Sequence, residues 1–323
     1  MSHCGYLASL PDHSLQAAWF SGRYETSDDM VILTARKKLS EPIWSKPEIL
    51  TSLPGHAVGQ PVLFPRPDDS LWLFFVVIMG KKDQKSDGDR PFDALPPRAG
   101  WSAAQPFIQI SFDKGRTWEI PEQIMNYSGL MFRGRPLVIR ERIILPAYDE
   151  NTWESKMLIS DDDGQSWRLT EAIQTPPGNI HATLVKLPGD KILAYLRPGG
   201  NGSVIWRTQS HDLGETWEVP VPTQIPNPNS GFDLVRLQNG NLLLAFNDST
   251  SERTPLCVVL GDGKERWFCK RILESGPGEF SYPSLLQTKD DAIHIVYTYQ
   301  RKHIHYATFS EEWMKSKSEG STY

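Results

Sequence analysis

The chain has little cysteine. Cys4, Cys257 and Cys269 are an odd number with no CxxC spacing, which excludes a disulfide framework and gives no zinc-site pattern. It lacks any block of Lys or Arg that could follow a phosphate backbone, and its net charge is only −5, so nucleic acid is not an expected partner. No run reaches the roughly 18 apolar residues of a membrane-spanning helix, so no membrane span is expected. Residues 1–20 include Asp12 and His13 and have no basic-then-apolar leader. The expectation is a soluble protein of a reducing compartment, cytoplasmic in the simplest case, with a secreted mature form as the alternative. What the chain has in quantity is aromatic residues and turn formers. Eleven Trp, ten Tyr, thirteen Phe, 24 Gly and 25 Pro suit many short strands better than long helices. A length of 323 residues exceeds the usual single domain of roughly 100–200, but all-β domains routinely pass that limit.

One motif recurs. Ser111-Phe112-Asp113-Lys114-Gly115-Arg116-Thr117-Trp118, Ser160-Asp161-Asp162-Asp163-Gly164-Gln165-Ser166-Trp167 and Ser210-His211-Asp212-Leu213-Gly214-Glu215-Thr216-Trp217 share one pattern at intervals of 49 and 50 residues. Ser and Asp side chains bond nearby amides, Gly accepts positive φ, and Trp anchors the next strand. Leu260–Trp267 is a weaker copy at the same interval, and Trp44 and Trp313 mark two more. Ahead of each lies a strand, a turn and a strand: 5–20, 61–77, 136–148, 182–196, 233–246 and 283–299. Six such units of about 50 residues predict an all-β, six-bladed β-propeller of four-stranded antiparallel blades, forming a single domain over residues 1–323. Residues 79–105 interrupt the second blade as a Pro/Gly-rich insertion, read as an ordered flap because of Phe92 and Trp101. The termini are expected to pair where the ring closes.

In an up-and-down blade the motif turns follow strand three. Functional residues are therefore sought on the opposite face, at strand-one starts and in loops between strands two and three. That rule collects His3, Arg23, Asp28, Asp29, Arg133, Arg135, Asp149, Glu150, His181, Arg197, Asn229, Asp233, Asn247, Arg253, Tyr282 and Arg301, besides the insertion. Polar groups of mixed sign converging at a channel mouth suit a small-molecule site. The acidic residues inside the repeated motif read as turn formers. His303 and His305 alternate on a strand without a third ligand and read as structural, so neither a metal nor another cofactor is expected.

At these positions the chain resembles the sialidase (neuraminidase) superfamily, whose Asp-box repeats and six-bladed propeller match essentially its whole length. Leu10-Pro11 through Phe20-Ser21-Gly22-Arg23 and on to Asp28 resembles that family's first blade, where an Asp is the acid/base. Arg197, ahead of Trp206-Arg207, and Arg253, in Asn247–Arg253, look like two arginines of the family's carboxylate-binding triad. Tyr282, in Phe280-Ser281-Tyr282-Pro283-Ser284-Leu285, falls where the family has its nucleophile. His3 stands at the first triad arginine, and His181, in Asn179-Ile180-His181-Ala182-Thr183, stands at the glutamate that activates the tyrosine. A neutral phenol, unlike a carboxylate, can approach a sugar carbon bearing a negative carboxylate.

The resemblance implies a carbohydrate substrate, with Asp28, Tyr282 and His181 catalytic. His3, Arg23, Asp29, Arg133, Arg135, Arg197, Asp233, Asn247 and Arg253 are the substrate-binding candidates, Arg133 and Arg135 from position alone. The leading reading is an exo-acting glycoside hydrolase that removes a terminal acidic or polyhydroxylated sugar. One alternative is a lyase using His and Tyr for elimination at a uronic acid. The other is a carbohydrate-binding propeller without catalysis, in which Tyr282 only stacks on a ligand.

Overall fold

The computed structural model describes residues 1–79 and 100–316. Six antiparallel sheets follow one another along the chain and form the blades of a propeller. Blade 1 comprises Ser2–Ser9, Ser14–Ser21, Val31–Lys38 and Glu48–Thr51, and blade 2 Ala57–Pro65, Leu71–Ile78, Ala104–Ser111 and Glu122–Gln123. In blade 3 the innermost strand is split into Leu130–Phe132 and Leu137–Ile139, followed by Arg142–Asp149, Glu154–Ser160 and Arg168–Leu169. Blade 4 comprises Asn179–Lys186, Ile192–Pro198, Val204–Ser210 and Val221–Pro226, and blade 5 Asp233–Arg236, Leu242–Asn247, Leu256–Gly261 and Trp267–Glu274. Blade 6 has three strands among the described residues, Phe280–Gln287, Ile293–Tyr299 and His303–Phe309, and then the helix Glu311–Ser316. Trp313 therefore sits in a helix and not in a sixth box.

Burial follows from the layering. Second strands such as Leu71–Ile78 are buried along their whole length, because neighbouring blades cover both faces. The outermost strands of blades 2 and 3 are only two residues long, which leaves little unpaired edge.

Each strong box closes on itself in the same way. Ser210 Oγ accepts from Gly214 N at 2.8 Å, while Asp212 accepts from Thr216 N at 2.9 Å and from Ser210 Oγ at 2.8 Å. Gly214 takes the positive φ of 82° that the turn requires. The boxes also reach back to the blade before them. Arg142 of blade 3 meets Glu215 of the blade 4 box at 3.1 Å, and Arg207 of blade 4 meets Glu265 of the blade 5 turn at 2.8 Å. Arg66 of blade 2 pairs likewise with Asp163 of the blade 3 box. Box acids thus join blades as well as forming turns. Blade 6 uses its helix instead: Glu311 accepts from Asn239 and Asn241 of blade 5 at 2.6 and 2.8 Å.

The ring closes between blades 1 and 6 with no strand exchanged among the described residues, since the first strand pairs within its own sheet. Ser2 N donates to Arg301 O at 2.9 Å, Cys4 N to Thr298 Oγ1 at 3.1 Å, and the Trp44 ring packs edge-on against Tyr306. Phe92 lies outside the described residues. Trp101, in a short 3-10 turn at Gly100–Ala103, returns the insertion to the ring beside Phe20.

Candidate active site

The innermost strands of blades 1, 2, 4 and 6 share a defect in register that selects the site residues. Pairing slips between His3 and Tyr6, Gly59 and Val62, Ile180 and Thr183, and Ser281 and Ser284. Inside each bulge one residue takes a positive φ: Cys4 54°, Gln60 55°, His181 52° and Tyr282 52°. Such conformations cost on the order of 1–3 kcal/mol each, so they persist only where the surrounding pairing imposes them. A bulge turns its side chain out of the strand's alternation. Here it delivers Gln60, His181 and Tyr282 to one cavity of about 800 Å3, on the face away from the boxes. Cys4 stays sealed, and burial pushes its thiol up to about 12, so it is inert.

Three guanidinium groups line that cavity. Arg197 donates from Nη1 to Tyr282 Oη at 3.1 Å, while its Nε and Nη2 are held by Asn229 Oδ1 and O, both at 2.8 Å. Arg253 lies over the same phenol ring, 5.3 Å from its centroid, and donates to Glu279 Oε1 at 2.9 Å and to Asn229 O at 3.3 Å. Arg301 donates to Glu279 Oε2 at 2.7 Å and to Glu25 Oε2 at 2.6 Å. Glu279 therefore bridges two arginines. Burial works against its ionisation, but Arg253, Arg301 and the Ser281 hydroxyl at 2.5 Å bring its pKa down to about 2. Asn229 is held by its own turn, in which Asn227 accepts from Ser230 N at 2.9 Å. Gly231 follows because a Cβ there would lie 2.8 Å from the Tyr282 ring.

Both histidines are neutral. His181 Nδ1 lies 3.2 Å from Arg197 Nη1, which can only donate; Nε2 therefore carries the proton and donates to Tyr148 Oη at 3.0 Å. Burial and the charges of Arg197, Arg133 and Arg253 drive its pKa well below the ordinary value. His181 and Tyr282 do not bond to each other; both accept from Arg197. The His3 ring packs against Tyr282 with centroids 4.4 Å apart, fully buried, and burial lowers its pKa to about 3.

Two carboxyl groups in the cavity differ. Burial alone would raise Glu25, but His3, Arg301 and the Arg301 and Trp101 hydrogen bonds hold it below the ordinary range. The His3 share requires a charged imidazole, which burial denies at neutral pH, so Arg301 and Trp101 carry the effect. Glu150, from the loop after the second strand of blade 3, is pushed up to about 7 by burial, with Arg197 opposing and Glu25 and Asp149 adding.

The remaining candidates lie elsewhere. Arg23, Asp28 and Asp29 form an exposed ion-pair cluster at 2.8 and 3.1 Å, with the Asp28 side chain 72% exposed, and none of the three lines the cavity. Arg133 is buried behind Tyr282 and donates to Gly5 O, Tyr282 O and Pro283 O, tying blade 3 to blades 1 and 6. Arg135 donates to Leu7 O and Leu285 O. Asp233 accepts from Leu285 N at 2.7 Å and Thr183 Oγ1 at 3.1 Å, and Asn247 donates to Phe280 O at 2.8 Å. Those four hold inner strands together. Glu25, Gln60, Tyr148 and Glu279 belong to the site or support it, yet carry no sequence signal beyond proximity to a strand start or loop. Among the described residues no group of three His, Cys, Asp or Glu is placed to hold a metal. No helix among them is long and apolar enough to cross a membrane.

Comparison with known proteins agrees with this architecture. Residues 13–295 match the model of the BNR repeat-like domain. An 84-residue segment, 26% of this chain, is 36% identical to the anhydrosialidase of Macrobdella decora and spans 11% of that protein. The Hadza microbial sialidase Hz136 superposes with a TM-score of 0.80 at 19% identity, covering 97% of this chain and 66% of that one. The intramolecular trans-sialidase of Ruminococcus gnavus gives 0.77 at 16%, covering 98% and 96%. At such identities the structural likeness establishes the fold.

Proposed function

The chain belongs to the BNR repeat-like domain family, and from that premise we propose a sialidase-type exo-glycoside hydrolase acting on a terminal acidic sugar. The observation that carries the reading is the junction of Tyr282 with Arg197 and Arg253 at a cavity that Arg301 also lines. Three guanidinium groups, two of them bridged by one carboxylate, suit a carboxylate-bearing ligand, and fixed arginine forks lose little entropy on binding it. The phenol oxygen would give its proton to water and bond to or stabilise the anomeric carbon as positive charge develops there, and the Arg197 N–H would offset negative charge on the phenolate oxygen. Neutral His181 orients Arg197 from one side while Asn229 does so from the other. A cavity of about 800 Å3 fits a monosaccharide and its first linkage. Sialidases and trans-sialidases among the similar proteins favour glycoside chemistry.

A second reading rests on the two neutral histidines flanking Tyr282: elimination at a uronic acid would use a neutral imidazole and a phenol as proton carriers. A panel of acidic aryl glycosides with mass and ultraviolet analysis separates the two. Hydrolysis adds water, whereas elimination leaves an absorbing unsaturated product. Tyr282→Phe should lower turnover by a factor of ~100 or more. Full activity in that variant would remove Tyr282 from the chemistry.

A further inference from the structure

Among the described residues every other charged group lining the cavity has a partner, and Glu150 has none. Arg197 is held by Asn229, Arg253 by Glu279, and Arg301 by Glu279 and Glu25. Glu25 also accepts from Trp101 Nε1 at 2.9 Å. Glu150 is only 8% exposed and lines the cavity, yet its carboxyl has no hydrogen bond or ion pair among the described residues. Its backbone is fixed, with Glu150 N donating to Gly129 O at 2.9 Å. The neighbouring Asp149 is occupied elsewhere, accepting from Tyr127 Oη at 2.6 Å and from Asn151 N at 2.8 Å. A buried carboxyl aimed into a ligand cavity without a partner is left for the ligand.

We propose that Glu150 is the proton-transfer group of this site, donating to the leaving oxygen of the bound glycoside. This rests on the glycosidase reading above and assigns the acid that the exposed Asp28 does not supply from within the cavity. As the bond between the anomeric carbon and the leaving oxygen breaks, its electron pair stays on that oxygen, which takes the Glu150 proton. Water then adds hydroxide to the anomeric carbon, displacing the Tyr282 oxygen where that bond has formed, and returns a proton to the Glu150 carboxylate, while the phenolate recovers its proton from water. The groups facing Glu150 are Arg197 from blade 4, Glu25 from blade 1 and Asp149 beside it, and Tyr148 and His181 complete that wall. The arginine charge is already offset by Glu279 and Glu25, so Arg197 alone favours the ionised form. Burial and the two nearby acids outweigh it, leaving Glu150 able both to give and to take a proton near neutral pH.

The test compares Glu150→Gln with Tyr282→Phe and Asp28→Asn on two acidic glycosides, one with a nitrophenolate leaving group and one with a sugar alcohol. Glu150→Gln should lose ~100-fold or more in kcat/KM on the sugar alcohol and less than ~10-fold on the nitrophenolate, which leaves without a proton. Equal losses on both substrates would overturn the proposal, as would a leaving-group-selective loss in Asp28→Asn instead. If Tyr282→Phe is fully active, the tyrosine leaves the chemistry; if the parent protein releases no sugar from either substrate, the glycosidase reading itself falls. Carbon-13 carboxyl NMR gives a readout independent of turnover: a resonance absent from Glu150→Gln should titrate near pH 7, and titration in the ordinary carboxylate range would overturn the assignment.

Discussion

Replacing Glu279 by glutamine should cost stability in a way that depends on pH. The carboxylate joins Arg253 at 2.9 Å, Arg301 at 2.7 Å and the Ser281 hydroxyl at 2.5 Å. Its side chain is 21% exposed, and breaking a mostly buried charge pair by removing one partner costs about 3–5 kcal/mol. Linkage gives a second figure, because a carboxyl lowered from 4.5 to about 2 contributes roughly 3 kcal/mol when ionised. The folded pKa lies below the unfolded one. The contribution is therefore complete above about pH 4.5 and is lost as pH falls toward 2. About 1.4 kcal/mol of it is gone by pH 3.5. Urea denaturation should show Glu279→Gln less stable than the parent by roughly 3 kcal/mol at pH 7, with the gap narrowing to roughly 2 kcal/mol at pH 3.5. A gap that stays constant over that range, or one below ~0.5 kcal/mol at pH 7, would refute the bridging role.

Glu150 should behave in the opposite sense. Its folded pKa of about 7 lies above the ordinary 4.5, so a penalty grows as pH rises between them, and Glu150→Gln should be the more stable protein at pH 8 by up to roughly 3 kcal/mol, with little difference at pH 4 in thermal melts. Gly231→Ala puts a Cβ 2.8 Å from the Tyr282 ring and should lower kcat ~10-fold or more while costing about 1–3 kcal/mol in stability, as read by kinetics and calorimetry. Asp212→Ala removes the acceptor for Thr216 N and for the Ser210 hydroxyl in the blade 4 box. It should cost about 1–2 kcal/mol in denaturation, with kcat/KM unchanged because the box lies on the opposite face.

The blade count was legible because the box is a local object: a serine, an aspartate and a glycine within five residues fix the turn, and its interval repeats. The opposite face followed from strand order alone, and that rule reached Arg197, Arg253, Arg301, Glu150, His181 and Tyr282. The sequence units begin at Gly5, Pro61, Ala182 and Pro283, each one residue after the positive-φ residue of a bulge. The bulges themselves, and hence the shared aim of Gln60, His181 and Tyr282, depend on pairing across the blade and leave no mark in a single strand. Arg133, Arg135, Asp233 and Asn247 show the limit of the face rule. Arg133 and Arg135 lie in the break of the split inner strand, Asp233 starts the inner strand of blade 5 and Asn247 ends its second strand, but all four bond neighbouring strands, and only the packing separates them from the cavity residues. The face rule collects Arg23, Asp28 and Asp29, and the family resemblance favours Asp28; the loop folds so that both aspartates pair with Arg23 at the rim while Glu25 turns inward to Arg301 and Trp101.

The most direct test of the arginine-held, tyrosine-centred site is to treat the protein with a fluorinated acidic glycosyl fluoride, in which the fluorine slows breakdown of any sugar ester or ether formed on the enzyme. Peptide mapping by mass spectrometry should then find the sugar on Tyr282, with labelling suppressed by excess acidic sugar and absent from Tyr282→Phe. A label on another residue, or continued turnover of the fluoride with Tyr282 unmodified in every sample, would contradict the account.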